Sequence, residues 1–147
     1  MNRQKGYTLV ELMIALAVTG VITTVLGLAV QQIVTVPEQN NDKIAAVHAV
    51  QNAGHWVGLD GQTATGAVGG SSLMLTLADN STVSYILYDD ELHRVYGSSN
   101  RTISRDISSA SFSVVGNMIT MDIESSPSNR WNISKNGTFQ ICMRPTG

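Results

Sequence analysis

The strongest constraint on this chain is the charge-poor run from Tyr7 to Val36. It contains one charge, Glu11, and no proline. A helix of that length is roughly 45 Å long at about 1.5 Å per residue. A bilayer core needs only about 20 apolar residues, so the run can span a membrane with an acid near one end. Arg3 and Lys5 precede it, and Gly6 separates them from the run. A secretory signal has a shorter apolar core followed by a small-residue cleavage site. An acid inside a membrane segment is costly and calls for a partner.

Gly6-Tyr7-Thr8-Leu9-Val10-Glu11 resembles the signal of type IV pilins and of the pseudopilins of type II secretion and competence systems. The match runs glycine, aromatic, Thr-Leu, β-branched residue, acid. Tyr7 stands where phenylalanine is usual. In that family a prepilin peptidase cuts after the glycine and methylates the new amino terminus. The resemblance therefore implies cleavage between Gly6 and Tyr7, N-methylation at Tyr7 and an assembly role for Glu11. It implies a single-pass membrane protein that later joins a periplasmic or cell-surface filament. Its partners would be the peptidase, other pilin or pseudopilin subunits, the inner-membrane assembly platform and, before assembly, membrane lipid.

The residues themselves suggest why Glu11 matters. Cleavage would leave a positive amine on Tyr7 beside the bilayer, and opposite charges attract strongly in low dielectric. Tyr7 and Glu11 are four apart, so they can pair within one helix. Pairing between subunits would instead set the register of a helical bundle, the usual family assignment.

The chain has 147 residues, enough for one modest domain. Hydrophobic residues make up 43% and charged ones 14%. Because much of the apolar content lies near the start, the remainder is polar and rich in Gly, Ser and Asn. Removing residues 1–6 takes away Arg3 and Lys5, leaving seven basic and eleven acidic residues, net −4. No electrostatic footprint for nucleic acid emerges. Cys142 is the only cysteine, so the intramolecular disulfide common in major pilins cannot form. The strand Thr138–Met143 is expected to bury it as a small hydrophobe.

The organisation predicted is a leader at 1–6, a membrane and assembly helix at 7–36, an amphipathic continuation at 37–60 and a β-rich domain at 61–147. Pro37 should kink or interrupt the helix. Beyond it Ile44, Val47, Gln51, Gly54 and Val57, joined by Ala46 and Val50, recur at helical spacing. Asp60-Gly61 reads as a stop and 61–72 as a flexible connector. Strands are expected at Leu73–Leu77, Thr82–Tyr88, Glu91–Tyr96, Ala110–Val115, Met118–Glu124 and Phe139–Met143. Turns are expected at Asp89-Asp90, Gly116-Asn117 and Asn136-Gly137. The fold class is α+β: a long N-terminal helix packed on a small antiparallel sheet. The resemblance implies one long curved helix whose first half protrudes.

A looser likeness concerns Val83-Ser84-Tyr85-Ile86-Leu87, Leu92-His93-Arg94 and Gln51–Val57. These resemble the strand pair and helix end of J-type minor pseudopilins, and favour a minor subunit. His48 and His55 could share a helix face but lack further ligands at metal spacing. Asp89-Asp90-Glu91 could bind calcium through oxygen ligands, although a solvated acidic turn is the plainer reading, and no other cofactor is expected. Trp56 and Trp131 read as packing residues. The four Asn-X-Ser/Thr sequons, at Asn80, Asn100, Asn132 and Asn136, read as turn chemistry. No catalytic triad, Walker loop or dinucleotide fingerprint is visible, so the chain reads as an enzyme's substrate and not as an enzyme. The alternative is an adhesive or ligand-binding tip module on the same anchor.

Overall fold

The computed structural model describes residues 7–128 and 132–144. Gly6, with the rest of the leader, and Trp131 lie outside them. The fold is α+β. Among the described residues one helix, α1 (Leu9–Thr63), precedes eight strands. The chain divides into two compact units, Met1–Glu38 and Gln39–Gly147.

In the first unit α1 carries a run, Leu9–Ile33, with mean hydropathy 2.3, long and apolar enough to cross a membrane. Its side chains are exposed to the surroundings. Leucine, valine and isoleucine all around a helix find no buried partners in such a unit, which suits lipid or neighbouring helices. Thr19, Thr23 and Thr24 donate their hydroxyls to the carbonyls of Ala15, Thr19 and Gly20 at 2.8–2.9 Å. That leaves no free hydroxyl to be dissolved in hydrocarbon.

Of the kink or interruption expected at Pro37, the interruption does not occur: the helix runs through position 37 without a break. Proline removes one donor, but the helical bonds on either side persist. The helix also passes Asp60-Gly61, the expected stop, and ends at Thr63. Tertiary contacts hold these last residues: Asp60 is tied to the sheet, and Gly61 lies against Ile141.

In the second unit the strands form two antiparallel meanders. The first sheet holds β1 (Ala64–Val68), β2 (Ser72–Leu77), β3 (Thr82–Tyr88), β4 (Glu91–Tyr96) and β5 (Ser99–Ser104) in sequence order. The second holds β6 (Ile107–Val115), β7 (Met118–Ser128) and β8 (Ile133–Cys142). The Phe112 N–H donates to the Gly70 carbonyl at 2.9 Å and stitches the two sheets together. Period-two burial places Leu73, Leu75, Val83, Tyr85 and Leu92 inside from the first sheet, and Ile119, Met121, Ile123 and Ile141 from the second.

The expected connector at 61–72 contains β1, and β5 also arises from a segment not read as a strand. β1 is built mostly of small residues and β5 mostly of polar ones, so neither announces a strand and neighbouring-strand pairing decides their conformation. The turns at Asp89-Asp90 and Gly116-Asn117 are present, flanked by the pairs Tyr88↔Glu91 and Val115↔Met118. Asn136-Gly137 is not a turn; β8 runs straight through it, pairing Gly137 with Ile123.

The helix packs through small residues. Ala46, Val50, Ala53, Gly54, Val57 and Gly61 form its buried stripe. Ile44 is 55% exposed and Gln51 is also exposed, so both lie off the expected stripe. A stripe of small residues lets the helix approach β8 closely. A Cβ on Gly54 would lie 2.3–2.6 Å from three Phe139 ring atoms, and one on Gly137 would lie 2.7 Å from Val50 Cγ1. Gly54→Ala should therefore destabilise the domain by about 1–2 kcal/mol in a urea melt of the detergent-solubilised chain. Alanine's helix propensity gives back only about 0.5–1 kcal/mol. Unchanged or raised stability would mean the Phe139 ring moves aside freely.

Cys142 is exposed, which corrects its expected burial. The inward positions of the last strand are Phe139, Ile141 and Met143, and a one-residue difference in parity puts the thiol on the other face.

Candidate functional site

Thr8 precedes the first helical residue, Leu9, and occupies the N-cap. The Leu12 N–H donates to the Thr8 carbonyl at 3.1 Å, the first helical bond. The Glu11 N–H donates to Thr8 Oγ1 at 3.3 Å, and the Thr8 N–H donates to Glu11 Oε2 over a longer 3.5 Å. Reciprocal bonds of this kind between a threonine and the glutamate three residues later form a capping box. They satisfy two of the N–H groups that every helix start leaves open. In lipid no water would do so. The carboxylate also suits the positive end of the helix dipole. Thr8 caps the helix, a role the sequence reading missed, although Thr-x-x-Glu before an apolar run is its usual signature.

Glu11 is thus folded back toward the amino-terminal end of the helix, onto Thr8. Tyr7 is exposed. Glu11 Oε1 has no hydrogen-bond partner among the described residues. Residues 1–27 match the family described as the prokaryotic N-terminal methylation motif. The chain carries a type IV prepilin signal. The match covers the leader and the first two-thirds of the apolar run, and the β domain lies outside it. No curated protein and no solved structure gives a significant match to the chain. A prepilin signal implies processing by prepilin peptidase and pilus-type assembly with other subunits.

A second cluster joins the end of α1 to the first sheet. Arg94 Nε donates to Asp60 Oδ2 at 2.6 Å, and Arg94 Nη2 donates to Asp60 Oδ1 at 3.0 Å. Tyr85 Oη donates to Asp60 Oδ2, and lies 2.9 Å from the Trp56 carbonyl. The Arg94 and Asp60 side chains are only 20% and 14% exposed. Burial, then the Asp60 carboxylate, pushes the Tyr85 phenol far above its ordinary range. The same carboxylate raises the Arg94 guanidinium further above its already high value. Trp56 is half-buried and lies near two guanidiniums, with Arg94 Cζ 5.6 Å and Arg101 Cζ 5.2 Å from its ring centre. The indole is therefore a packing residue that also carries cation–π contacts.

Glu91, one of the three acids considered for calcium, is engaged elsewhere. Its Oε1 meets Arg105 Nε at 2.9 Å, and its Oε2 accepts from Thr102 Oγ1 at 2.9 Å. Among the described residues no three His, Cys, Asp or Glu side chains gather closely enough to hold a metal ion. His48 and His55 are both exposed.

Proposed function

We propose that this prepilin is a minor structural subunit of a type IV pilus or of a secretion or competence pseudopilus. It is cut between Gly6 and Tyr7, methylated on the Tyr7 nitrogen, and drawn from the membrane through its apolar helix. The observation that carries the reading is the methylation motif, set directly on a capped apolar helix. The likeness of β3, β4 and the end of α1 to minor pseudopilins supports the minor role. The chain acts as an enzyme's substrate and then as a building block.

The capping box suggests how Glu11 works. Its Oε2 serves the subunit's own Thr8, and its Oε1 accepts from the Tyr7 amine of a neighbouring subunit. One carboxylate then both starts the helix and sets its register in the bundle. Helices leaving lipid exchange one apolar surrounding for another, so packing and this charge pair carry the association.

Mass spectrometry of the protein from its native host should find a mature chain beginning at N-methylated Tyr7. Gly6→Val should block processing by crowding the scissile bond. An assembled filament whose subunits still begin at Met1 would sink the reading.

A further inference from the structure

Arg101 carries an exposed guanidinium that, among the described residues, has no counter-charge within ion-pair distance. It sits directly opposite Arg94 in the β4–β5 pairing. Like charges facing each other across strands destabilise a sheet. Asp60 offsets Arg94 through two hydrogen bonds. No carboxylate among the described residues reaches Arg101; its neighbour is the Trp56 ring at 5.2 Å. Tyr96, 41% exposed, extends the aromatic surface, with Arg94 Cζ 5.6 Å from its ring. An indole holding a guanidinium keeps that charge in one place and leaves its N–H donors for a carboxylate.

The complementary feature is the turn between β3 and β4. Asp89 and Asp90 are exposed, with φ of 53° and 58°. Neither enters an ion pair with a described residue. The preceding Tyr88 is 73% exposed. This turn and Tyr96 lie at opposite ends of β4. Tyr96 lies six positions after Asp90, about 20 Å at roughly 3.3 Å per residue. The two features cannot meet within one copy.

We infer that the Asp89-Asp90 turn of one copy docks on the Trp56–Arg101–Tyr96 surface of the next. Such a contact joins two different patches, so it propagates from copy to copy and does not close into a dimer. With a mature charge of −4, this uncompensated cation is a natural landing point for a neighbour's acids. The inference rests on the filament reading, requires copies of this subunit to stand next to one another even in a minor role, and adds to that reading an outer contact between β domains.

The test uses the full-length chain in detergent micelles, labelled with donor or acceptor dye at its single cysteine, Cys142. Wild-type copies should show energy transfer that falls as salt rises. Arg101→Gln, which removes the charge but keeps a polar, hydrogen-bonding side chain, should weaken self-association about tenfold, and Arg101→Glu more. Asp89→Arg with Asp90→Arg should do the same. Combining these with Arg101→Glu should restore the transfer, which a general loss of fold could not do. Wild-type affinity in Arg101→Gln, no self-association in wild type, or no rescue in the combined variant would each overturn the inference. So would an oligonucleotide bound through Arg101 with no Arg101-dependent transfer, since the surface would then serve nucleic acid. The mass of the N-terminus, read on native filaments, tests the filament reading separately.

Discussion

Asp60→Ala should cost the β domain about 3 kcal/mol, because it leaves the largely buried Arg94 guanidinium without its carboxylate. Tyr85 would lose one of its two acceptors, though the Trp56 carbonyl at 2.9 Å remains. Asp60→Asn keeps the shape and one acceptor, and should cost about half as much. Tyr85→Phe should cost about 1–2 kcal/mol for the lost hydroxyl bond. Urea melts of the detergent-solubilised full chain, followed by near-ultraviolet circular dichroism, would rank the three. Asp60→Ala within about 0.5 kcal/mol of wild type would mean that Arg94 reaches solvent easily and the cluster is not a tie.

The same cluster makes a pH prediction. An unfolded tyrosine ionises near pH 10. Folding holds the Tyr85 phenol above that value through burial first and the nearby Asp60 charge second. Above the unfolded value the unfolded chain releases this proton while the folded one keeps it. The contribution is therefore complete below about pH 10 and is lost as pH rises beyond it. Stability should fall steeply on the alkaline side, and less steeply in Tyr85→Phe. Equal alkaline slopes for the two proteins would contradict this assignment.

The apolar run, the capped start and most strands were legible in the sequence because each rests on local chemistry. Thirty residues with one charge have few structural options. Val83, Tyr85 and Leu87 alternate as a half-buried strand must. The misreadings share a cause: a local signal overruled by a distant neighbour. Gly137 looked like a turn residue, yet its missing side chain makes room for Val50. Asp60-Gly61 looked like a helix stop, yet Asp60 meets Arg94 and Gly61 meets Ile141. No pattern within a dozen residues can report such partners. Cys142 was misplaced by a single step of strand register. The Asp60–Tyr85–Arg94 cluster was equally hidden, since its members lie 25 and 34 positions apart. Thr8 is different: its capping signature was fully present in the sequence.

Glu11→Gln should leave the β domain intact and still be processed, yet enter filaments at a hundredth of the wild-type level or less. Among the described residues none of the buried core comes from before Ala46, so the domain has no stake in this acid. The proposed scissile bond follows Gly6, and Glu11 lies five residues beyond it. The neutral amide keeps the size of the side chain and can still accept from the Thr8 N–H, so the helix start survives. What it cannot do is neutralise a neighbour's Tyr7 amine inside a bundle. An unpaired charge in that surrounding costs about 3–5 kcal/mol, and about 1.4 kcal/mol corresponds to tenfold in an equilibrium. Thr8→Val separates the two duties of the carboxylate. It removes the cap hydroxyl, costs only about 0.5–2 kcal/mol, and leaves the charge pair available, so incorporation should fall far less than in Glu11→Gln. The measurement is the ratio of subunit in sheared filaments to subunit in membranes, with N-terminal mass read on both fractions. Wild-type incorporation of Glu11→Gln would show that register in the bundle is set without this charge. A Thr8→Val defect as deep as that of Glu11→Gln would show that the acid acts through the helix cap alone.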